Sequence, residues 1–353
     1  MKLGDLFDHG VPLGAGAIDI TGLTADSRKV KPGFLFAALK GVAAHGRDFV
    51  EQAKANGAVA VLSAGDLGFN AGIAEVVTEE PRKDFALAAS AFYVRRPSTI
   101  VAVTGTNGKS STVDFLRQIW THAGRQAASM GTLGAIGPKG VIDLGHTTPD
   151  PAAVHATLST LFDDGVAHVA MEASSHGLEQ HRVDGVTFAA GAFTNLTQDH
   201  LDYHADMASY RQAKLRLWEL VRVGGPAVIN ADAADADPFE RAAKENDLDV
   251  VLCGWRAPRE KALKIVEILP RPNAQTMVLL WNGKERKVEL PLIGEFQALN
   301  ATCAAALALS LGDAPEAVFA GMAQLKPVKG RMEHVGQSKS GGHVFVDYAH
   351  TPD

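Results

Sequence analysis

The stretch STIVAVTGTNGKSSTV at residues 98–113 constrains the fold of this chain more than any other part of its sequence. Residues 100–103 form a β-branched apolar run typical of a buried strand, and apolar residues recur at helical spacing from Thr112 onward. A turn that contains two glycines lies between them. Strand, turn and helix in this order predict an α/β domain with a ligand-binding turn at the end of a strand.

The residues of this turn are those that a phosphate group requires. Gly105 and Gly108 let backbone N–H groups approach phosphate oxygens, and the helix N-terminus adds about half a positive charge. Lys109 supplies a mobile ammonium group, and the hydroxyl of Ser110 can bind Mg²⁺. The common P-loop has glycine six positions before the lysine, where this sequence has Val103. The alternative is an ordinary glycine-rich turn, but the pattern favours a nucleotide site.

Size and composition limit the classes of protein that fit. A chain of 353 residues exceeds the usual size of a single core, so we expect at least two domains. The net charge of −6 provides no basic face for nucleic acid. The N-terminus lacks the apolar core of a signal peptide, and the longest apolar stretch, near 301–311, is too short to cross a bilayer. Cys253 and Cys303 have no metal-binding spacing. We expect a cytoplasmic monomer without nucleic-acid or membrane partners.

The order of predicted elements indicates two α/β regions. Residues 1–97 read as a small α/β domain, with a strand at 58–63 and a helix at 84–96. Residues 98–333 read as a larger, P-loop-type and mostly parallel α/β domain, with antiparallel strands near a predicted hairpin turn at Asn282. Residues 334–353 read as the start of a further domain. There the run 344–346 resembles a first strand with nothing after it to pair with, so the ending resembles a truncation.

Two polar segments outside the glycine turn are candidate binding elements. In the small domain, Asp26, Ser27 and Arg28 form a polar turn, for which the alternative is a local side-chain cap. In the larger domain, Glu172 ends a predicted strand, where parallel-sheet proteins place ligands. Its alternative is a carboxylate that caps the next segment.

His200 and His204 are four residues apart, a spacing that also occurs in zinc sites. The intervening residues lack the glutamate of the metalloprotease motif, so zinc is disfavoured. We expect Glu172 and His200 instead to lie near a nucleotide-bound Mg²⁺, a cation that prefers oxygen ligands.

With these residues assembled, the sequence resembles the Mur ligases, the ATP-dependent enzymes that add amino acids to peptidoglycan precursors. Within them it resembles the MurE type, which adds the third amino acid. The resemblance covers essentially the whole chain. It is carried by DSR (26–28), TGTNGKS (104–110), TTPD (147–150), MEASSHGLEQHRV (171–183), FTNLTQDHLDYH (193–204), YRQAK (210–214), GRME (330–333) and DYAHTPD (347–353).

The resemblance implies three domains: a UDP-MurNAc-binding domain, a central ATPase and a C-terminal domain for the incoming amino acid. Only the first two are expected here, so the 353-residue chain is expected to bind nucleotides without ligating. In the implied reaction, which requires Mg²⁺, the γ-phosphoryl group of ATP is transferred to the D-Glu carboxylate of UDP-MurNAc-L-Ala-D-Glu. The acyl phosphate is then attacked by the amine of meso-diaminopimelate or, alternatively, L-lysine. Such enzymes serve cell wall synthesis, and through it cell shape and division.

The resemblance also assigns roles to individual residues. The ATP site would comprise Gly105, Thr106, Asn107, Gly108, Lys109, Ser110, Ser111, Asn300, Arg331 and Asp347. The UDP-linked substrate would contact Ser27, the loop near 42–44, Thr147, Thr148, Ser174, Gln180 and Arg182. Lys109, Glu172, His200 and Lys214 would serve catalysis, and the metal would be held by Ser110, Glu172, His200 and Lys214.

Lys214 matches the lysine that this family carries as a carbamate, N6-carboxylysine. By itself it reads as a solvated helix lysine. Tyr210, Lys214 and Leu217, however, share one helix face that is largely apolar, which predicts an inward side chain.

Two alternatives to such a ligase remain. Short motifs such as TGTNGKS also fit folylpolyglutamate synthases, although the run SSHGLEQHR favours the MurE type. A nucleotide-binding module without catalysis is the other.

Overall fold

The computed structural model of the protein describes residues 1–41, 44–65, 67–68, 71–199, 203–338 and 342–348. Contacts divide the chain into two compact units. The first comprises Met1–Arg96, Thr148–Thr160 and Gly177–Val186, and the second comprises Pro97–Thr147, Leu161–His176 and Thr187–Asp353. The sequence analysis did not anticipate that two later segments group with the N-terminal residues. The predicted domain boundaries, after residues 97 and 333, stay predictions.

The first unit is built on a sheet of four parallel strands that follow one another in chain order. They are Gly22–Thr24 (β1), Phe34–Ala37 (β2), Ala58–Ser63 (β3) and Ala74–Val77 (β4). The helices Val50–Ala55 (α1) and Pro81–Phe92 (α2) belong to this unit. The strand predicted at 58–63 is confirmed. The helix predicted at 84–96 begins and ends earlier, because Pro81 suits the first helical position.

Both faces of this small sheet are buried. Leu35 and Leu62 pack with Phe85 on one face, whereas Phe36 and Val61 belong to a second apolar cluster on the other. Side chains alternate between faces along a strand, so consecutive apolar residues are needed to fill both clusters. The loops that follow the strands are therefore the part of this sheet left for ligands.

The second unit is built on an eleven-stranded sheet in the order β15-β14-β13-β12-β11-β10-β5-β9-β6-β7-β8. Its strands are Thr99–Thr104 (β5), Ala127–Gly131 (β6), Gly134–Gly137 (β7), Gly140–Ile142 (β8), His168–Glu172 (β9), Ala190–Phe193 (β10), Pro226–Asn230 (β11), Asp249–Gly254 (β12), Ala262–Pro270 (β13), Gln275–Trp281 (β14) and Lys284–Leu290 (β15). The remaining α-helices of the chain are Lys109–His122 (α3), Pro151–Asp163 (α4), Ser175–Glu179 (α5), Met207–Leu215 (α6), Leu217–Leu220 (α7), Ala236–Glu245 (α8), Glu295–Ser310 (α9) and Pro315–Met322 (α10). Of these, α4 belongs mostly to the first unit.

The pairing of these strands confirms the predicted fold class. The central strands pair in parallel, and β13 to β15 and β6 to β8 pair antiparallel. The β14–β15 hairpin turns at Asn282 and Gly283, whose φ angles of 50° and 74° suit a tight hairpin turn. The core is completed by α9, which is rich in alanine and leucine and packs against α3 and the central strands.

The strand expected at 344–346, with nothing after it to pair with, pairs with a preceding strand. It lies in His343–Val346 (β17), which pairs antiparallel with Glu333–Gln337 (β16). The partner precedes it in sequence, in a segment without strand-like alternation. In the described part of the chain, no helix is long and apolar enough to cross a bilayer.

Candidate active site

The glycine turn joins β5 to α3 and can be formed only by glycine at two positions. Gly105 has a φ of 149° and Gly108 a φ of 83°. A Cβ on Gly105 would lie 1.9 Å from Oγ1 of Thr194, and one on Gly108 would lie 2.3 Å from Oδ1 of Asn300. Both the backbone conformation and the close approach of neighbours exclude a side chain here. The turn leads directly into the 14-residue helix α3, with Gly108 as its N-cap.

Lys109 opens α3 and folds back over the turn. Its Nζ donates hydrogen bonds to the carbonyl oxygens of Gly105, at 2.8 Å, and Thr106, at 2.7 Å. Burial lowers the pKa of Lys109, while the carboxylates of Glu172 and Asp199 raise it. The ammonium group is therefore held by two neutral carbonyl oxygens, which an anion could replace.

Lys214 reaches the same turn from α6. Its side chain is buried, with 1% exposure, and its Nζ donates to the carbonyl oxygen of Gly105 at 2.7 Å. Nζ also lies 4.4 Å from the ring centroid of Tyr210. Burial holds the pKa of Lys214 well below its usual value, and the charge of Lys109 lowers it further. The inward orientation that the apolar helix face predicted is thus present, and two lysines share one carbonyl oxygen.

The segment after β10 binds the turn through hydrogen bonds that the sequence analysis did not anticipate. Oδ1 of Asn195 accepts from the N–H of Asn107 at 2.9 Å, and Nδ2 of Asn195 donates to the carbonyl of Asn107 at 3.2 Å. The hydroxyl of Thr194 donates to the same carbonyl at 2.6 Å. Thr106 is held by its own hydroxyl, which contacts Thr197 and, at 3.2 Å, the Tyr210 hydroxyl. Burial raises the pKa of Tyr210 to about 12.

Glu172 and Ser110 line the same small cavity. Glu172 ends β9 and is 2% exposed, and its Oε1 accepts a hydrogen bond from the backbone N–H of Thr132 at 2.8 Å. A Cβ on Gly131 would lie 2.1 Å from Oε1 of Glu172, so glycine makes room for the carboxylate. The hydroxyl and the carboxylate are hard oxygen donors, which suit Mg²⁺.

The two histidines of the His-rich segment have different outcomes. His200 lies outside the described residues. The side chain of His204 is buried, with Nε2 3.0 Å from the hydroxyl of Ser175. Among the residues that the structure describes, no group of three or more His, Cys, Asp or Glu side chains is placed to hold a metal ion. Asp199 was not singled out from the sequence, yet its carboxylate raises the pKa of both Lys109 and Lys214.

The three other candidate ATP residues lie near α9 and the β16–β17 hairpin. Asn300 is on α9 and lies against Gly108. The carbonyl of Arg331 accepts a hydrogen bond from Gln297, also on α9, at 3.0 Å, and Oδ2 of Asp347 accepts from the N–H of Met332 at 2.7 Å. A cavity of about 210 Å³ borders Gln297 and Met332.

In the first unit, Ser27 lies after β1 and is 7% exposed, with its hydroxyl donating to Gln52 at 2.8 Å. Asp26 caps the same turn through the N–H of Arg28, as the local-cap alternative predicted. Of the loop at 42–44, residues 42 and 43 lie outside the described residues.

The candidates for the peptide end of the substrate are divided between the units. In the first unit, Arg182 donates to the carbonyl of Thr148 at 2.8 Å and to Oε1 of Gln180 at 2.8 Å. In the second unit, the hydroxyl of Thr147 lies 3.0 Å from that of Thr132, and Ser174 follows β9. The fixed guanidinium of Arg182 is suited to bind a carboxylate.

Comparison with known proteins gives matches along most of the chain. The family model described as Mur ligase middle domain matches residues 103–308, and the model described as Mur ligase family, catalytic domain matches residues 19–95. The UDP-N-acetylmuramoyl-L-alanyl-D-glutamate–2,6-diaminopimelate ligase of Caulobacter vibrioides is 44% identical over 359 residues, covering 100% of this chain and 73% of the relative. The ligase of the same name from Agrobacterium fabrum is 47% identical over 340 residues, covering 96% of this chain and 68% of the relative.

Solved structures agree with these matches. A structure of a ligase with the same name has a TM-score of 0.86 and 29% identity, covering 100% of this chain and 72% of that chain. A folylpolyglutamate synthase from Mycobacterium tuberculosis complexed with ADP has a TM-score of 0.62 and 19% identity, covering 77% of this chain and 66% of that chain, a likeness of fold alone. The phosphate-type turn and the matches across both units lead to one conclusion: this chain belongs to the Mur ligase family.

Proposed function

We propose that this chain forms the UDP-MurNAc-binding and ATP-binding parts of a ligase that adds meso-2,6-diaminopimelate to UDP-N-acetylmuramoyl-L-alanyl-D-glutamate. Relatives that are 44% and 47% identical carry the name of that activity. The protein would act in the cytoplasm, where such nucleotide-linked precursors are made. The alternatives differ in the amino acid that is added: L-lysine in the same reaction, or glutamate in a folylpolyglutamate-type reaction.

The observation that carries ATP binding is the cationic glycine turn. Lys109 and Lys214 both donate to the carbonyl of Gly105, and α3 begins at this point. Anions are attracted by two ammonium groups and by the positive end of a helix dipole. In the described part of the structure, the ammonium group of Lys109 donates its hydrogen bonds to two carbonyl oxygens. Phosphate oxygens can replace these carbonyl oxygens and form stronger, charge-assisted bonds.

Ser110 and Glu172 fit Mg²⁺, because their oxygen atoms line one cavity beside the turn. His200 would complete this set. The bound cation would supply positive charge that offsets the charge of the phosphates.

The chain's own residues would then bind and orient two anionic reactants. Lys109 would hold the outer phosphates of ATP while the D-Glu carboxylate attacks the γ-phosphorus and ADP leaves. Arg182 would hold the peptide end of the acceptor. The amine of the incoming amino acid attacks the acyl phosphate, and phosphate leaves as the amide forms. Positioning and charge stabilisation account for most of the catalysis in phosphoryl transfer.

Lys214 is proposed to carry a carbamate. Carbon dioxide reacts with a neutral amine, and burial of Lys214 favours the neutral form. The C–N bond forms as the amine releases a proton, and the product is an anionic oxygen donor in place of the ammonium group. Two ammonium groups would then no longer meet at the carbonyl of Gly105. We expect a ¹³C NMR carbamate signal from protein equilibrated with ¹³CO₂, and its loss in Lys214→Ala.

Lys214→Ala is expected to retain ATP binding and to lose ligation, with partial recovery in added acetate, which returns a carboxylate. Full ligation activity in Lys214→Ala would contradict this role. Arg216→Ala on the neighbouring turn serves as the matched control and is expected to leave the carbamate signal unchanged.

The proposed function is tested with the enzyme that carries this chain. It is supplied with ATP, Mg²⁺, the UDP-linked dipeptide and, in separate reactions, meso-diaminopimelate, L-lysine or L-glutamate. We expect a UDP-linked tripeptide with meso-diaminopimelate, identified by mass. Product only with L-lysine, or extension of a folate by glutamate, would replace the proposal by the corresponding alternative.

A further inference from the structure

We propose that Asn195, assisted by Thr194, is a positioning residue that holds the phosphate-binding turn in the shape that ATP requires. The proposal rests on the ATP site of the proposed function and adds a residue to it. The residues concerned follow β10, and the turn follows β5, its parallel neighbour in the sheet.

The amide group of Asn195 pairs with both backbone polar groups of Asn107 in the turn. Its Oδ1 accepts from the N–H of Asn107 at 2.9 Å, and its Nδ2 donates to the carbonyl of the same residue at 3.2 Å. The backbone carbonyl of Asn195 also accepts from the N–H of Thr106 at 2.8 Å. A side-chain amide carries both a donor and an acceptor. It can therefore make, beyond the end of β5, the two hydrogen bonds that the backbone of a neighbouring strand would make.

A second residue fixes the same carbonyl. The hydroxyl of Thr194 donates to the carbonyl of Asn107 at 2.6 Å and approaches that of Thr104 at 3.3 Å. Thr194 is itself held, because its carbonyl accepts from Nδ2 of Asn230 at 2.8 Å. The backbone of Asn107 is therefore held at its N–H and at its carbonyl by the two residues that directly follow β10.

The turn needs these hydrogen bonds because glycines lie on both sides of Thr106 and Asn107. Gly105 and Gly108 flank the Thr106–Asn107 pair and have φ angles of 149° and 83°. Glycine has the largest freedom of any residue in the unfolded or unbound chain, so the turn has many accessible shapes. Ordering it on binding would reduce the affinity for ATP, whereas ordering it beforehand removes that cost.

The pairing also determines which backbone groups can meet phosphate. The N–H groups of Thr106 and Asn107 both donate to Asn195. Phosphate oxygens are then directed to the later N–H groups, at the start of α3, and to the ammonium group of Lys109. Asn195 thus acts through the turn and does not contact the nucleotide.

The test compares Asn195→Ala with Asn246→Ala, the matched control. Asn246 is also partly buried, and its Nδ2 donates to a backbone carbonyl, that of Ala242, at 2.9 Å, at the end of α8. Isothermal titration with ATP and with the UDP-linked dipeptide is combined with thermal unfolding. We expect Asn195→Ala to weaken ATP binding about tenfold, since two hydrogen bonds are lost, and to leave the UDP-dipeptide affinity unchanged. The control is expected to leave both affinities unchanged.

A second pair guards against a variant that fails to fold. Thr194→Val keeps the shape but removes the hydroxyl, and Thr194→Ser restores it. ATP affinity is expected to fall in the valine variant and to return in the serine variant, and in turnover the KM for ATP is expected to rise more than kcat falls.

Wild-type affinity for ATP in Asn195→Ala or Thr194→Val overturns the proposal and leaves the proposed function intact, whereas failure of the wild-type protein to bind ATP overturns both. Equal weakening of ATP and UDP-dipeptide binding also overturns it, because that pattern indicates general loss of structure.

Discussion

Charged groups are arranged differently at the two ends of the central parallel strands of the large sheet. We call the side where these strands begin the amino edge and the side where they end the carboxyl edge. At the amino edge, beside the start of β9, the carboxylate of Asp313 is paired with Arg125 and accepts from the indole N–H of Trp120 at 2.9 Å. At the carboxyl edge, the ammonium groups of Lys109 and Lys214 both donate to one carbonyl oxygen. The amino edge thus pairs its carboxylate directly with a guanidinium group. At the carboxyl edge two ammonium groups meet at one carbonyl oxygen, and the carboxylates of Glu172 and Asp199 attract them.

This difference separates groups that hold the fold together from groups that are suited to bind a ligand. A buried carboxylate that is paired and hydrogen-bonded costs little and fixes the packing around it. Two buried ammonium groups near each other are unfavourable until an anion, or the conversion of one of them to an anion, compensates for them. The comparison predicts that changes at the carboxyl edge alter binding and changes at the amino edge alter stability.

The largest expected effect is that of Lys109→Ala. Removal of one preorganised cationic donor is expected to reduce turnover with ATP by about 10²–10³-fold, with little loss of stability, since Lys109 contacts only turn carbonyls by hydrogen bonds in the described structure. Steady-state kinetics and thermal unfolding measure the two quantities. Lys139→Ala, at an exposed ion pair with Asp164, is the control and should change neither by much. Near-normal turnover in Lys109→Ala would show that the carboxyl edge is not a phosphate site.

A buried histidine in the first unit extends the comparison to a group that lies against a neutral carbonyl oxygen and for which no ligand is expected. The ring of His155 is 1% exposed, with Nε2 3.0 Å from the carbonyl oxygen of Asp184, and burial lowers its pKa from 6.5 to about 4. The unfolded chain therefore binds a proton between about pH 6.5 and 4 that the folded chain rejects, so stability is present above pH 6.5 and falls as the pH drops towards 4.

Between about pH 7.5 and 5 we expect this histidine to cost about 2 kcal/mol of unfolding free energy. Denaturant unfolding of wild type and of His155→Gln at the two pH values measures it, because glutamine keeps a polar group but does not titrate. A pH dependence that is identical in the two proteins would contradict the assignment.

The smallest expected effect is that of Asp313→Asn at the amino edge. The change removes the charge opposite Arg125, whose side chain is 40% exposed and can turn to solvent, so we expect a loss of about 1 kcal/mol of stability. ATP affinity should remain that of the wild type. Stability and ATP affinity are measured by denaturant unfolding and titration calorimetry, and a fall in affinity without a fall in stability would break the distinction between the edges.

Local signals in the sequence predicted the elements of this protein well. The apolar run at 58–63 predicted a strand with those bounds, and a glycine turn before Lys109 predicted the start of α3. The strand partner of residues 343–346 was missed, because β16 has little apolar alternation.

The residues of the candidate site likewise divide into those that local patterns indicated and those that were missed. Lys109, Ser110 and Glu172 were found because each stands beside a local pattern, a turn or the end of a strand. Asn195 and Asp199 follow the end of β10, which is a local signal of the same kind, but that signal does not show which neighbours they meet. They become part of the site only because β10 lies beside β5 in the sheet.

The sequence by itself determined the α/β class, the phosphate-type turn and the inward face of α6, since these depend on the spacing of neighbouring residues. The tertiary structure decided that Lys214 meets Lys109 at the carbonyl of Gly105, and that Asn195 pairs with Asn107. It also decided that Thr148–Thr160 and Gly177–Val186 group with the N-terminal residues. The physical reason is that strand order and packing bring together residues far apart in the chain, and no local pattern records that order.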